Sequence, residues 1–250
     1  MSGGLPILTV HALEPGRSVI ATDPAWFAHC LAALHEAGFR TVDLDAWIRR
    51  GRPELERAFA LTFDDGLCSV KVAAPILARV GFCATAFLVT GRMGSDNAWP
   101  GQPGGIPRRP TLAWNDLDDL VAAGFSFGSH TCFHPDLRRV SEEELASELS
   151  DSQDAIEQRL AKPCRLLAYP YGVSSRKIRA TAARHYDAAF GTRLAYAPSS
   201  GDLFDISRID FHYLKRRADL SLLIEDRWHE RLRIRNRLRQ ARRMALSLLS

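Results

Sequence analysis

Residues 59–66 read FALTFDDG, an apolar run that passes directly into two acidic residues and a glycine. A short apolar run bounded by turn residues is typical of a buried strand, so Asp64 and Asp65 would follow the end of that strand. Because successive side chains of a strand point to opposite sides, one carboxylate can bind a cation while the other stays free as a base. A plain turn is the alternative interpretation, since Asp and Gly favour turns.

Three further apolar runs also end in residues that can bind a metal, move a proton or turn sharply. They are Leu5–Val10 before His11, Phe125–Gly128 before His130 and His134, and Leu166–Tyr169 before Pro-Tyr-Gly at 170–172. The carboxyl ends of parallel barrel strands converge on one face, so we expect these residues in one site. An aspartate with two histidines can hold a divalent metal and leave a position for water, whose pKa the metal lowers toward about 7. Two surface histidines are the alternative interpretation of His130 and His134.

Stretches with helical spacing separate the apolar runs. They are Trp26–Ala37, Ser69–Val80, Asn115–Ala123, Ser141–Leu160 and Ser174–His185. Ser141 and Glu144 form a capping-box pattern at the start of the fourth stretch. Strand and helix patterns alternate roughly seven times, which predicts an α/β fold with a parallel sheet and crossover helices in one barrel-like domain.

Charge divides the chain into a body, residues 1–213, and a basic tail, residues 214–250. The tail carries a net charge of +7 and the body a net charge of −3. A body that bound nucleic acid would carry its own basic stripe, so we expect no nucleic-acid partner. Apolar residues recur at helical spacing over residues 220–250, which predicts one amphipathic helix. This helix either makes a peripheral contact with an anionic membrane or packs across the barrel.

The remaining composition favours a cytoplasmic protein. No apolar run approaches the roughly 20 residues that a spanning helix needs, and the first residues do not follow the pattern of a signal peptide. The five cysteines are scattered and odd in number, which is typical of reduced thiols.

Three motifs together resemble the polysaccharide deacetylases, the NodB-homology group also called carbohydrate esterase family 4. LTFDDG at 61–66, SHTCFH at 129–134 and AYPYG at 168–172 are similar to the first three motifs of that family in order and spacing. The resemblance covers roughly residues 5–212. It implies a distorted (β/α)7 barrel, here followed by the basic C-terminal helix, and metal-dependent hydrolysis of an N-acetyl group from a sugar.

The resemblance also implies a role for each motif residue. Asp64 would be the general base, and Asp65, His130 and His134 would hold the metal, which is usually zinc in this family. The backbone N–H of Tyr171 would help to stabilise the tetrahedral oxyanion and so contact the substrate.

One departure from the family pattern concerns the third motif. The family usually has an arginine that orients the base, and Ala168 stands at that position here. Arg208 is a possible substitute from another strand end, which would place it in the substrate site. A surface salt bridge is the alternative interpretation of Arg208.

A second departure concerns the general acid. The late family motif LxIHD has no good match near the end of the barrel, but LTVH at 8–11 is similar to it. A subgroup of the family resembles a circular permutation with this strand placed first, so His11 is the candidate acid. The partner aspartate of the motif is replaced by Ala12.

These observations predict a hydrolase that deacetylates an intracellular sugar, carried on a lipid or a nucleotide during cell-surface polysaccharide synthesis. A hydrolase of a non-sugar amide and a non-catalytic carbohydrate-binding relative are the alternatives.

Trp99 and Trp114 flank a loop rich in Gly and Pro, and either could stack on a sugar or pack in the core.

Overall fold

The computed structural model describes residues 4–16, 18–102 and 104–247, with the side chains of the last helix described as far as residue 238. Within them the strands are β1 (Ile7–Val10), β2 (Ala12–Leu13), β3 (Ala21–Thr22), β4 (Arg40–Thr41), β5 (Ala58–Phe63), β6 (Ala84–Leu88), β7 (Phe125–Ser129), β8 (Leu166–Ala168), β9 (Ala188–Phe190) and β10 (Ile209–Asp210). The α-helices are α1 (Pro24–Glu36), α2 (Leu44–Arg49), α3 (Ala73–Val80), α4 (Asp116–Ala122), α5 (Glu142–Leu160), α6 (Arg176–Ala182), α7 (Arg217–Ile224) and α8 (Trp228–Ser247).

The main sheet is parallel and curled into a half-barrel. Its strands follow the order β10-β1-β5-β6-β7-β8-β9, and β4 pairs with β5 away from this path. The strand β1 lies between β10 and β5, with Leu8 opposite Ile209 on one side and Leu61 on the other. The first strand therefore joins the sheet beside the last one, and the predicted α/β barrel is confirmed.

Alternate residues of β5 pack into two separate cores. Phe59, Leu61 and Phe63 belong to the larger cluster, which includes buried side chains of α1 and α3. Ala58 and Ala60 belong to a smaller cluster that is rich in alanine. This division is what a strand buried on both faces requires, and it fixes the side to which the residues after the strand point.

Several predicted elements are confirmed with shifted ends. The capping box of Ser141 and Glu144 is present at the start of α5. The helix predicted from Ser69 begins as a 3₁₀ turn, Cys68–Val72, before α3. Pro75 near the start of α3 has no N–H to give, which suits the first turn of an α-helix. The short elements β2, β3, β4 and α2 were not predicted, and no bounds were predicted for the strand expected near Arg208, which is β10.

The prediction of one helix over residues 220–250 is wrong. The chain forms α7 and α8, and Asp226 between them adopts a left-handed conformation with φ 57°. Trp228 and Leu232 are fully buried in the larger core, whereas Ile234 and Leu238 are exposed. The start of the tail therefore packs on the barrel, and the boundary at residue 213 stays a prediction. None of the described helices has the length and hydropathy needed to cross a bilayer.

Candidate active site

Asp65, His130 and His134 form a buried donor cluster after the ends of β5 and β7. One ligand atom from each lies within 4.8 Å of the other two. The Nε2 atoms of both histidines lie 3.5 Å from Oδ1 of Asp65. Both histidines are buried, so the interpretation of this pair as surface histidines is wrong.

The loops that carry the site hold backbone conformations which most residues avoid. Eight described residues other than glycine have positive φ, and four of them are Asp65 (70°), Thr131 (68°), His134 (58°) and Tyr171 (58°). Such conformations cost about 1–3 kcal/mol each and persist only where the surrounding structure enforces them. Asp65, His134 and Tyr171 line one pocket, which makes that pocket the candidate functional site.

A half-buried glutamate on α5 holds the loop between the two histidines. Oε2 of Glu148 accepts hydrogen bonds from the backbone N–H groups of Cys132 (2.8 Å) and Phe133 (2.9 Å). The N–H of His134 donates to Oγ1 of Thr131 at 3.1 Å. Burial raises the pKa of Glu148, although its two N–H donors act in the opposite direction. Helix α5 thus holds the loop between His130 and His134 through a side chain that lies outside the motif.

The electrostatics of the donor cluster fit a divalent cation. Nδ1 of His130 lies 2.7 Å from the carbonyl oxygen of Ala168, which leaves Nε2 to face Asp65. Burial, followed by the neighbouring His130, lowers the pKa of His134 to about 3, so this imidazole is neutral. Burial alone would raise the pKa of Asp65, but the hydrogen bond with His130 and the other histidines bring it below its usual range. A neutral imidazole beside a carboxylate is a form that can bind a metal, and a hydrogen bond on the second ring nitrogen, as His130 has, is usual for histidines that do so.

Asp64, the neighbour of Asp65 in the chain, pairs with Arg208. The guanidinium donates to both carboxylate oxygens, at 2.7 and 2.8 Å, and Nε donates to the carbonyl of Gly191 at 3.2 Å. Burial by itself would raise the pKa of Asp64, but Arg208 brings it below its ordinary value. Arg208 is fully buried, so its interpretation as a surface salt bridge is wrong. It gives Asp64 the guanidinium partner that Ala168 cannot supply.

His11 lies beside Asp210, an aspartate that was not among the predicted site residues. Nδ1 of His11 is 3.9 Å from Oδ2 of Asp210, on the neighbouring strand β10. Burial would lower the pKa of His11, but Asp65, Asp210 and Asp64 together raise it above its usual value. A usable signal for Asp210 was its spacing of two from Arg208, because residues two apart in an extended segment point to the same side.

All seven predicted site residues line one pocket of about 470 Å³: His11, Asp64, Asp65, His130, His134, Tyr171 and Arg208. Trp99 also lines it, and its ring centroid lies 4.5 Å from that of His134. Trp114 instead packs against the larger core. Nε of Arg109 donates to Glu14 at 2.8 Å, which ties the loop that carries Trp99 to the segment after β2.

The chain belongs to the polysaccharide deacetylase family, whose model matches residues 51–188, more than half of its length. The resemblance noted from the motifs is therefore confirmed. The match includes the donor cluster, Asp64 and Tyr171, but His11 and Arg208 lie outside it.

One relative is YxkH of Bacillus subtilis (strain 168), whose name describes it as a polysaccharide deacetylase. The two are 24% identical over 172 residues, which cover 67% of this chain. The match covers 57% of YxkH, so the chain spans less than two thirds of that relative's length.

Solved structures of deacetylases share the fold. The Streptococcus pyogenes deacetylase PplD, solved in complex with acetate, has a TM-score of 0.72 at 24% identity over 83% of this chain and 92% of its own. IcaB from Ammonifex degensii has a TM-score of 0.71 at 21% identity, over 91% of this chain and 97% of its own. BC0361, a polysaccharide deacetylase from Bacillus cereus, has a TM-score of 0.73 at 20% identity, over 88% and 69%. At these identities the likeness establishes the fold.

Proposed function

We propose that the protein is a metal-dependent hydrolase that removes the N-acetyl group from an amino sugar. The observation that carries this proposal is the convergence of three units in one pocket. These units are the donor cluster, the Asp64–Arg208 pair and the His11–Asp210 pair. Together they provide a cation site, a base and an acid, which is what hydrolysis of an unactivated amide needs.

The donor cluster would hold a divalent cation, and zinc suits its two imidazoles and one carboxylate. When bound, such a cation supplies Lewis acidity, which polarises the amide carbonyl and acidifies water. The backbone N–H of Tyr171, on a left-handed turn that lines the pocket, is the proposed second donor to the developing oxyanion.

Two side chains would move the protons. Asp64, held in its charged form by Arg208, accepts a proton from the attacking water as oxygen bonds to the carbonyl carbon. His11, whose pKa the surrounding carboxylates raise above its usual value, would then donate a proton to the amine nitrogen as the carbon–nitrogen bond breaks. The products are acetate and the free amino sugar. A proton-transfer group of this kind is worth about 10²–10⁴-fold in rate.

We further propose a small intracellular substrate, a lipid- or nucleotide-linked sugar of cell-surface polysaccharide synthesis. A pocket of about 470 Å³ is of the size that encloses one small ligand, which favours a single acylated sugar unit. All five cysteines are free thiols, and three of them are buried, which fits a reducing compartment such as the cytoplasm.

The two alternative functions fare differently. The case for a non-catalytic relative rests on Ala168 and on the missing late motif. Against it, Arg208 provides a guanidinium partner for Asp64, and Asp210 lies beside His11. A hydrolase of a non-sugar amide would use the same residues, so only substrates distinguish it.

The test is acetate release from a panel of N-acetylated amino sugars and non-sugar amides. We expect Asp64→Asn to abolish turnover and keep bound metal, and His11→Ala to slow turnover by about 10²–10⁴-fold. His35→Ala, an exposed histidine of α1, is the control and should leave the rate unchanged. An unchanged rate in His11→Ala, or lost metal in Asp64→Asn, would contradict the assigned roles. Turnover of the non-sugar amides alone would select the alternative.

A further inference from the structure

We propose that α8 docks the protein on an anionic lipid bilayer, with the mouth of the active-site pocket turned toward the lipid. This helix is neither long nor apolar enough to cross a bilayer. The proposal therefore concerns a helix that lies in the plane of the membrane surface, with its apolar residues in the headgroup region.

Helix α8 has two apolar sides, and the barrel covers one of them. Trp228 and Leu232 are fully buried in the larger core. Ile234 and Leu238, which are four residues apart and so share a face, are 62% and 66% exposed. The exposed pair is an apolar surface that the barrel does not bury.

The four arginines of α8 whose side chains the structure describes fall into two sets. Arg231 and Arg235 lie 3.1 and 3.9 Å from Asp219, a carboxylate whose side chain is only 2% exposed. Arg233 and Arg237, each next to one residue of the apolar pair, are exposed. One set of arginines thus anchors the helix to α7, and the other borders the exposed apolar face.

Charge complementarity selects an anionic bilayer as the occupant of this face. Residues 228–247 contain seven arginines and one acidic residue, Glu230. A second copy of the helix would bring like charges together. Nucleic acid would pair with the arginines but leave Ile234 and Leu238 in water. An anionic bilayer offers headgroups to the arginines and an acyl layer to the two apolar side chains. The electrostatic attraction contributes about 1 kcal/mol for each basic residue near the surface.

The exposed apolar residues near the pocket point to the orientation. The described residues expose six large apolar side chains, and Ile234 and Leu238 are two of them. Val19, 63% exposed, lines the pocket, and Phe133, 54% exposed, stands beside the ligand His134. The guanidinium of Arg235 lies 5.7 Å from the ring centroid of Tyr213, and that ring also lines the pocket. Helix α8 and the pocket mouth therefore adjoin.

This orientation favours a sugar carried on a lipid over one carried on a nucleotide. That consequence rests on the proposed function, whereas the docking itself does not.

The first test is cosedimentation of the full chain with phosphatidylcholine vesicles, with and without phosphatidylglycerol. We expect binding only to the anionic vesicles, weakened by high salt. The double variant Ile234→Asp, Leu238→Asp should lower the partition coefficient about tenfold or more. The matched control Val72→Asp, Val121→Asp changes the other two exposed apolar residues and should bind as the parent does. Val121 lines a different cavity, at the starts of β7 and β8.

Equal binding to both vesicles, no binding, or unchanged binding of the Ile234 and Leu238 variant would overturn the proposal. A dimer in light scattering that this variant converts to a monomer would assign the face to a second copy instead.

Orientation is tested with Val19→Trp and Val121→Trp. Brominated lipid should quench the tryptophan fluorescence of the Val19→Trp variant more than that of the parent protein, and that of the Val121→Trp variant no more than the parent. Stronger quenching in the Val121→Trp variant, with none gained in the Val19→Trp variant, would contradict the orientation. None of these measurements uses substrate, so their failure and that of the proposed function are distinguishable.

Discussion

The buried ion pair between Arg208 and Asp64 gives a prediction whose size follows from the structure. The two side chains are 0% and 4% exposed, and the guanidinium donates two hydrogen bonds to the carboxylate. Removing one partner of such a pair leaves a buried charge without compensation, which costs about 3–5 kcal/mol. We therefore expect Arg208→Met to lower the free energy of unfolding by about that amount.

The second half of this prediction is a recovery of stability. Replacing a buried pair by apolar residues of similar volume is often neutral, so Arg208→Met, Asp64→Leu should unfold within about 1 kcal/mol of the parent protein. The assay is urea unfolding in the presence of a chelator, so that bound metal does not contribute. Arg179→Met is the matched control, because its ion pair with Asp202 is much more exposed and should contribute less than about 1 kcal/mol.

Two results would refute the reasoning. A loss below about 1 kcal/mol in Arg208→Met would mean that the pair behaves like one in solvent. A double variant that is as unstable as the single one would mean that Arg208 acts through its packing on Phe87 and Phe190, not through Asp64.

Three further predictions concern the loops and the core. Glu148→Gln weakens the hydrogen bonds that hold the metal-ligand loop, so we expect metal affinity to fall about 10–100-fold in a competition assay, with α-helical content unchanged. Gly172→Ala would place a Cβ atom 2.1 Å from Oγ1 of Thr192, at a φ of +65°, so it should lower the free energy of unfolding by about 1–3 kcal/mol. Burial raises the pKa of Cys30 and of Cys164 to about 12, so neither should react with N-ethylmaleimide at neutral pH until the protein is unfolded. Rapid labelling of either cysteine in the folded protein, seen by peptide mass spectrometry, would contradict the burial.

The sequence predicted the site better than it predicted the connections around it. Asp64, Asp65 and His130 follow directly after strands that are buried on both faces, so local pattern fixes where their side chains emerge. The pairing of His11 with Asp210 depends instead on β10, a strand of two residues. Its position beside β1 comes from long-range pairing, which no local pattern encodes.

The break between α7 and α8 is a second feature that the local sequence does not encode. Residues 225–227 read Glu-Asp-Arg and contain neither Gly nor Pro, so nothing in them signals the end of a helix. Asp226 nevertheless turns into the left-handed region, and Trp228 after it is fully buried. The tertiary burial of one large side chain outweighs the local preference for a continuous helix.

Bound metal, measured per chain, tests the central claim most directly. Protein purified without added metal, then dialysed against zinc, should hold about one ion per chain, and Asp65→Ala should hold none. Asp119→Ala, an exposed aspartate of α4, should bind as the parent protein does. The account predicts that Asp65→Ala loses its metal while the parent protein and Asp119→Ala keep theirs. A parent protein that binds no zinc, or an Asp65→Ala variant that binds as much as the parent, would contradict it.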